Sequence, residues 1–151
     1  MENIYDHIDN LLEERKYLRA RRIIQKLLKS NPNDIEALRV YAKSLCFQSK
    51  SHESLEICKK LLDCQRKDQY VMKIMVRCYL QNKQFSDAIS LISEIEEKGS
   101  DDREVAFLHS TYLMLIKDYV EAEIYATNEI SRKPEYYLLL GVRNLFTFRK
   151  E

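Results

Sequence analysis

Apolar side chains recur along this chain at three- and four-residue intervals, as at Ile89, Ile92 and Ile95 with Leu91 beside them. That spacing gathers residues on one face of an α-helix. Polar turn clusters interrupt the pattern at "SNPND", "KGSDD" and "RKPE", where Asn, Pro, Gly and Asp favour backbone conformations that end helices. The pattern predicts short helices over 2–14, 18–30, 34–48, 52–64, 68–82, 86–98, 102–116 and 119–132, and a last one over about 135–149. Asp101 and Glu104 hold the spacing of a capping box at one helix start.

A second rhythm is superimposed on the first. Ala20, Ser54, Ala88 and Ala122 lie 34 residues apart and are all small. Tyr17, Ser51, Phe85 and Tyr119 keep the same interval, as do Leu11, Leu45, Tyr79 and Leu113, and Ile24, Cys58, Ile92 and Ala126. Pro32 and Pro134 stand three such intervals apart, and His7 shares a phase with His109. A period of this length marks a repeat protein in which each unit is a pair of helices. The small residue has a mechanical use, because two helices approach closely only where a side chain is small. Each pair leaves one apolar face open, and stacked neighbours complete the core.

Composition narrows the class. The 151 residues contain only two glycines and two prolines, far too few for the many turns of an all-β fold. Gly99 and Gly141 stand alone, so no glycine-rich phosphate loop is available. Basic and acidic side chains number 25 and 24, for a net charge of +1, which disfavours a dedicated nucleic-acid binder. The longest apolar run, Tyr136 to Val142, is too short to span a bilayer. "MENIYDHIDN" is acidic where a secretory signal is basic and then apolar. Cys46, Cys58, Cys64 and Cys78 form no C-x-x-C pair, so reduced thiols in a cytoplasmic or nuclear protein are expected, with no metal and no cofactor.

A 34-residue helix pair with this small, aromatic and proline phasing resembles the tetratricopeptide repeat over residues 1–134. The aromatic-to-small spacing is carried by Tyr17–Ala20, Phe85–Ala88 and Tyr119–Ala122, and the closing proline by Pro32 and Pro134. The family's tyrosine stands at Tyr79, while its tryptophan positions hold Ile4, Leu38, Met72 and Ala106. Its glycine positions hold Ile8, Ala42, Val76 and Ser110. The resemblance implies an all-α fold, a right-handed α-solenoid of antiparallel helix pairs. It would form a single domain over 1–151, with about four repeats at 1–34, 35–68, 69–102 and 103–136 plus the terminal helix.

By the same resemblance the chain is expected to be a non-catalytic scaffold or adaptor that binds a protein or peptide in a concave groove lined by the first helix of each pair. The groove positions are Tyr5, Asp9, Arg39, Lys43, Phe47, Tyr70, Lys73, Arg77, Phe107 and Thr111. Arg39 with Lys73, and Lys43 with Arg77, are 34 apart, so stacking would cluster four cations suited to an acidic or carboxylate-bearing partner. The alternative is that these charges are solvated and partly paired with acids such as Glu36. The two-cation, two-asparagine clamp of chaperone-tail binders is not matched, since Tyr5, Asp9, Val40, Tyr70 and Ile74 occupy its phases. Arg19, Arg21 and Arg22 fall on a second helix and are expected to be solvated charge on the outer side.

The stretch "YYLLLGVRNLFTFRK" is apolar nearly all round, whereas a terminal capping helix is normally polar outside. Leu139, Val142, Leu145, Phe146 and Phe148 are therefore an expected assembly surface, for a homodimer or a larger complex such as subunits of the anaphase-promoting complex form. RNA binding through Tyr70 and Phe107 as stacking platforms is the further alternative. His7, His52 and His109 belong to no nucleophile or acid–base set, and catalysis is not expected.

Overall fold

The computed structural model describes residues 3–65, 67–99 and 102–132. All regular structure there is helical: α1 Ile4–Glu13, α2 Tyr17–Ser30, α3 Ile35–Phe47, α4 Ser51–Cys64, α5 Gln69–Gln81, α6 Phe85–Glu97, α7 Arg103–Leu115 and α8 Tyr119–Arg132. The expected helix over 135–149 lies outside the described residues, and with it Leu139, Val142, Leu145, Phe146 and Phe148. No helix among the described residues is long and apolar enough to cross a membrane. The helices fall into two compact units, Met1–Asn82 with α1 to α5 and Lys83–Glu151 with α6 to α8.

Three local devices recur at the 34-residue interval. The first is a start signal: Asp34, Asp68 and Asp102 cap α3, α5 and α7, and their carboxylates accept from the backbone N–H groups of Ala37, Val71 and Glu104. Such a cap satisfies one of the otherwise orphan donors of a first turn and favours the positive end of the helix dipole. The cap of α7 is thus Asp102, one residue later than the capping-box spacing of Asp101 implies, because Asp102 carries the extended backbone that places its carboxylate over Glu104 N–H at 2.8 Å.

The second device is a left-handed residue between paired helices. Arg15, Ser49, Lys83 and Lys117 have φ of 60°, 61°, 59° and 64°. In three of these turns the bonds close as a Schellman motif: Lys16 N–H reaches Leu11 O, Lys50 reaches Leu45 O and Asp118 reaches Leu113 O. None of the four is Gly or Asn, the residues that adopt this conformation cheaply. Gly99, with φ 71° after α6, is the one described place where glycine fills that role. The left-handed turn lets α2, α4 and α6 begin at Tyr17, Ser51 and Phe85, one residue earlier than their apolar patterns indicate.

The third device is the small residue. Ala20, Ser54, Ala88 and Ala122 are all fully buried, as close helix–helix approach requires. Where the second unit of the sequence pattern has Ser54 in place of alanine, its hydroxyl donates to Ala42 O at 2.7 Å and so stays satisfied. Ser51, standing where the other phases have an aromatic, is buried and donates to Gln81 Oε1 at 2.5 Å. Tyr17 packs against the first-unit core cluster that contains Ile8, Leu12 and Ile24, and burial of one such isoleucine stabilises the fold by about 1.5–3 kcal/mol. In the second unit Tyr119 packs on Leu113 and Ala122, and Phe85 meets Tyr112 edge-on at 6.4 Å.

Candidate functional site

Helices α1, α3 and α5 lie side by side in the first unit, and eight of the ten expected groove residues sit on them. The remaining two, Phe107 and Thr111, lie on α7 in the second unit. Phe107 packs beside Ala106 and Ala126, and the Thr111 hydroxyl donates to Phe107 O at 2.8 Å within its own helix.

The ends of the first-unit face are tied by the capping aspartates. Tyr5 donates its hydroxyl to Asp34 Oδ2 at 2.8 Å, and Arg39 donates through Nε to Asp68 Oδ2 at 2.6 Å. Both ties span 29 residues, so position five of each of the first two repeats reaches the cap that opens the next. Each carboxylate thereby serves a helix start and a neighbouring helix at once. The Tyr5 phenol is held above its usual pKa, first by the bond to Asp34 and then by burial, because phenolate beside a carboxylate is disfavoured. Arg39 also contacts Glu36, and its NH2 reaches Gln65 Oε1 at 3.1 Å.

At the centre of the face Lys43 sits 3.1 Å from Asp9 and 3.0 Å from Glu13. Its ammonium also lies 5.5 Å from the Phe47 ring centre and 5.7 Å from that of Tyr70, within cation–π range. Arg77 covers the Phe47 ring at 5.4 Å. Tyr70 donates to Asp9 Oδ1 at 2.7 Å, which joins α5 to α1. Lys73 has electrostatic or hydrogen-bonding partners of its own.

The structure brings Asp9, Lys43, Phe47, Tyr70 and Arg77 together but changes the meaning of the charges. Arg39 and Lys43 answer Asp68, Glu36, Asp9 and Glu13. What the face offers is two aromatic rings with a lysine and an arginine against them, in a hydrogen-bonded frame. Sequence reasoning missed the aspartate caps that organise this frame. The 34-residue recurrence of Asp34, Asp68 and Asp102 was the signal for them.

Elsewhere the titratable groups serve packing. His109 Nδ1 lies 2.9 Å from Glu96 Oε1, which also accepts from the Tyr125 hydroxyl at 2.9 Å. The His109 and Tyr125 rings are in contact at 4.2 Å. Cys46, Cys58 and Cys78 are fully buried. The Cys46 thiol is pushed up by the hydrogen bond it makes to Cys78 and by burial, and burial pushes Cys58 up to about 12. Cys78, which accepts from Cys46, is pulled down by that bond. Among the described residues no group of three His, Cys, Asp or Glu side chains is placed to hold a metal ion.

Charge is unevenly divided. Residues 1–82 carry 16 basic and 11 acidic side chains, residues 83–151 nine and 13. A balanced total thus conceals a basic first unit and an acidic second one.

No protein-family model matches the chain, and no curated protein is significantly similar to it.

Proposed function

We propose that this chain is a non-catalytic protein-binding scaffold built of tetratricopeptide-like helix pairs, wound as a right-handed α-solenoid. It holds a segment of a partner protein against the face of α1, α3 and α5. The observation that carries this reading is the recurrence, every 34 residues, of one cap, one left-handed turn and one buried small residue. Nearest-neighbour stacking of such units creates extended surfaces suited to extended ligands. The residues that would grip the partner are Phe47, Tyr70, Arg77 and Lys43, since aromatic rings and arginine provide large contact area with little entropy to lose. Asp9 and the tyrosine hydroxyls would supply hydrogen bonds along the partner's backbone. Because Arg39 and Lys43 are answered by acids, recognition at this face depends less on partner charge than the cation count implies.

The reading is tested by placing the photocrosslinking amino acid p-benzoylphenylalanine at Phe47 or Tyr70 in the native cell, with exposed His52 as the control position. A discrete crosslinked partner from the first two sites and none from the third is expected. Absence of a discrete product at both face positions, or equal capture at His52, would overturn it.

A further inference from the structure

The first unit has a second concavity, on the side of α2. A cleft of about 370 Å³ is lined by Arg21, Gln25, Leu28 and Lys29 of α2, by Tyr41, Leu45 and Gln48 of α3 with its end, and by Lys50. Part of its floor is apolar, with Leu28 on the rim of the α1–α2 core beside the buried Ile24 and Leu45, and Ser44 and Gln48 supply a polar part. Its edge is cationic, and no described residue pairs with Arg21, Lys29 or Lys50, all of which are exposed. Tyr41 is half-buried beside the floor, and its hydroxyl has no partner among the described residues.

Two facts set these cations apart from those of the α1, α3 and α5 face. No described residue answers them, whereas Arg39 and Lys43 are neutralised by neighbours. Arg21 and Lys29 are also no part of the repeat, because the positions 34 residues on from them hold Leu55 and Asp63, whereas Lys50 shares its phase with Lys16. The repeat thus does not call for charge at Arg21 or Lys29.

We infer that this cleft is a second binding site, for a short acidic peptide that inserts one or two large apolar side chains over Leu28 and Leu45 and sets carboxylates against the rim. Arg21 and Lys29 leave α2 eight residues apart, about 12 Å along the axis. That separation suits carboxylates spread along a peptide rather than a single anionic group. The excess of basic residues in the first unit adds a field that steers such a ligand in. The Tyr41 hydroxyl, without a partner among the described residues, would donate to a ligand carbonyl or carboxylate. The inference rests on the protein-binding reading, but it uses residues that reading does not.

The test is selection from a displayed library of random 12-residue peptides on the purified full chain, followed by titration of the enriched sequences. Enrichment of apolar residues flanked by Asp or Glu is expected. Affinity should fall at least tenfold in the double variant Arg21→Glu, Lys29→Glu, and in Gln25→Trp, which fills the cleft from an exposed position without changing charge. It should also weaken as salt is raised. Helicity and melting of both variants should match the parent, since all three positions are exposed. His52→Gln, exposed and outside the cleft, should leave the affinity unchanged.

Failure to enrich acidic sequences, or peptides that bind the cleft variants equally, would overturn the inference. So would equal binding by polyglutamate, which marks a polyanion surface only. Sedimentation showing self-association that both cleft variants abolish would overturn it too, by making a second copy the occupant. The crosslinking outcome at Phe47 and Tyr70 is read separately, so the two sites fail independently.

Discussion

The Tyr70 hydroxyl donates to Asp9 at 2.7 Å, joining two helices 61 residues apart in sequence. Helix α3 makes contact with both α1 and α5, so this bond spans the face that α3 underlies. The same aspartate holds the Lys43 ammonium at 3.1 Å, so it anchors two neighbours with one carboxylate. A bond to a charged acceptor contributes about 1.5–3 kcal/mol. Tyr70→Phe should lower stability by about 1–2 kcal/mol in urea denaturation. The double-mutant cycle with Asp9→Asn should return a coupling of about 1 kcal/mol or more. Additive effects would mean that the bond contributes nothing.

Arg39 is a tie rather than a free cation. Its side chain is 21% exposed and its partner Asp68 only 4%, so removing the guanidinium strands a buried carboxylate. Arg39→Glu should therefore destabilise the fold by about 2–4 kcal/mol, visible as a lower denaturant midpoint. A charge reversal there cannot serve as a clean probe of partner binding.

The left-handed turns store strain that glycine would relieve. A non-glycine residue in this region costs on the order of 1–3 kcal/mol, offset in part by glycine's larger entropy loss on folding. Ser49→Gly and Lys83→Gly should each raise stability by about 0.5–1 kcal/mol, while Lys83→Val should lower it. Thermal melting of the three variants decides the sign.

Alkaline pH should weaken the Tyr5–Asp34 tie. The folded pKa of Tyr5 is raised above its ordinary 10.0, so its contribution is present in full below that value. It is lost as pH rises through the folded pKa. The stability difference between the parent and Tyr5→Phe should be constant at neutral pH and shrink above about pH 10. An unchanged difference at pH 11 would remove the linkage.

The four thiols should divide by accessibility. Cys64 is exposed and the other three are buried. A disulfide reagent under native conditions should modify one thiol promptly and the rest only as the chain unfolds in urea. Mass mapping should place the first label on Cys64, and early labelling of Cys58 would contradict its packing.

Much of this architecture was legible in the amino-acid sequence. Helix existence depends on local apolar spacing, and each of the eight described helices falls within a residue or two of its expected span. The 34-residue phase likewise foretold that Ala20, Ser54, Ala88 and Ala122 would be buried, because only a small side chain suits a close helix crossing. Packing constraints that repeat leave a repeated trace.

The remainder was settled in three dimensions. The left-handed turns at Arg15, Ser49, Lys83 and Lys117 carry none of the usual residue signals, since the closing hydrogen bonds and the paired helices impose them. Charge was the least legible property of all. A sequence shows that Arg39 and Lys43 share a face, but not that Asp68, Asp9 and Glu13 fold up to meet them. Nor does it show that Arg21, Lys29 and Lys50 border one cleft and find no partner among the described residues. Helical periodicity is a property of neighbours along the chain. The pairing of charges is decided by neighbours in space.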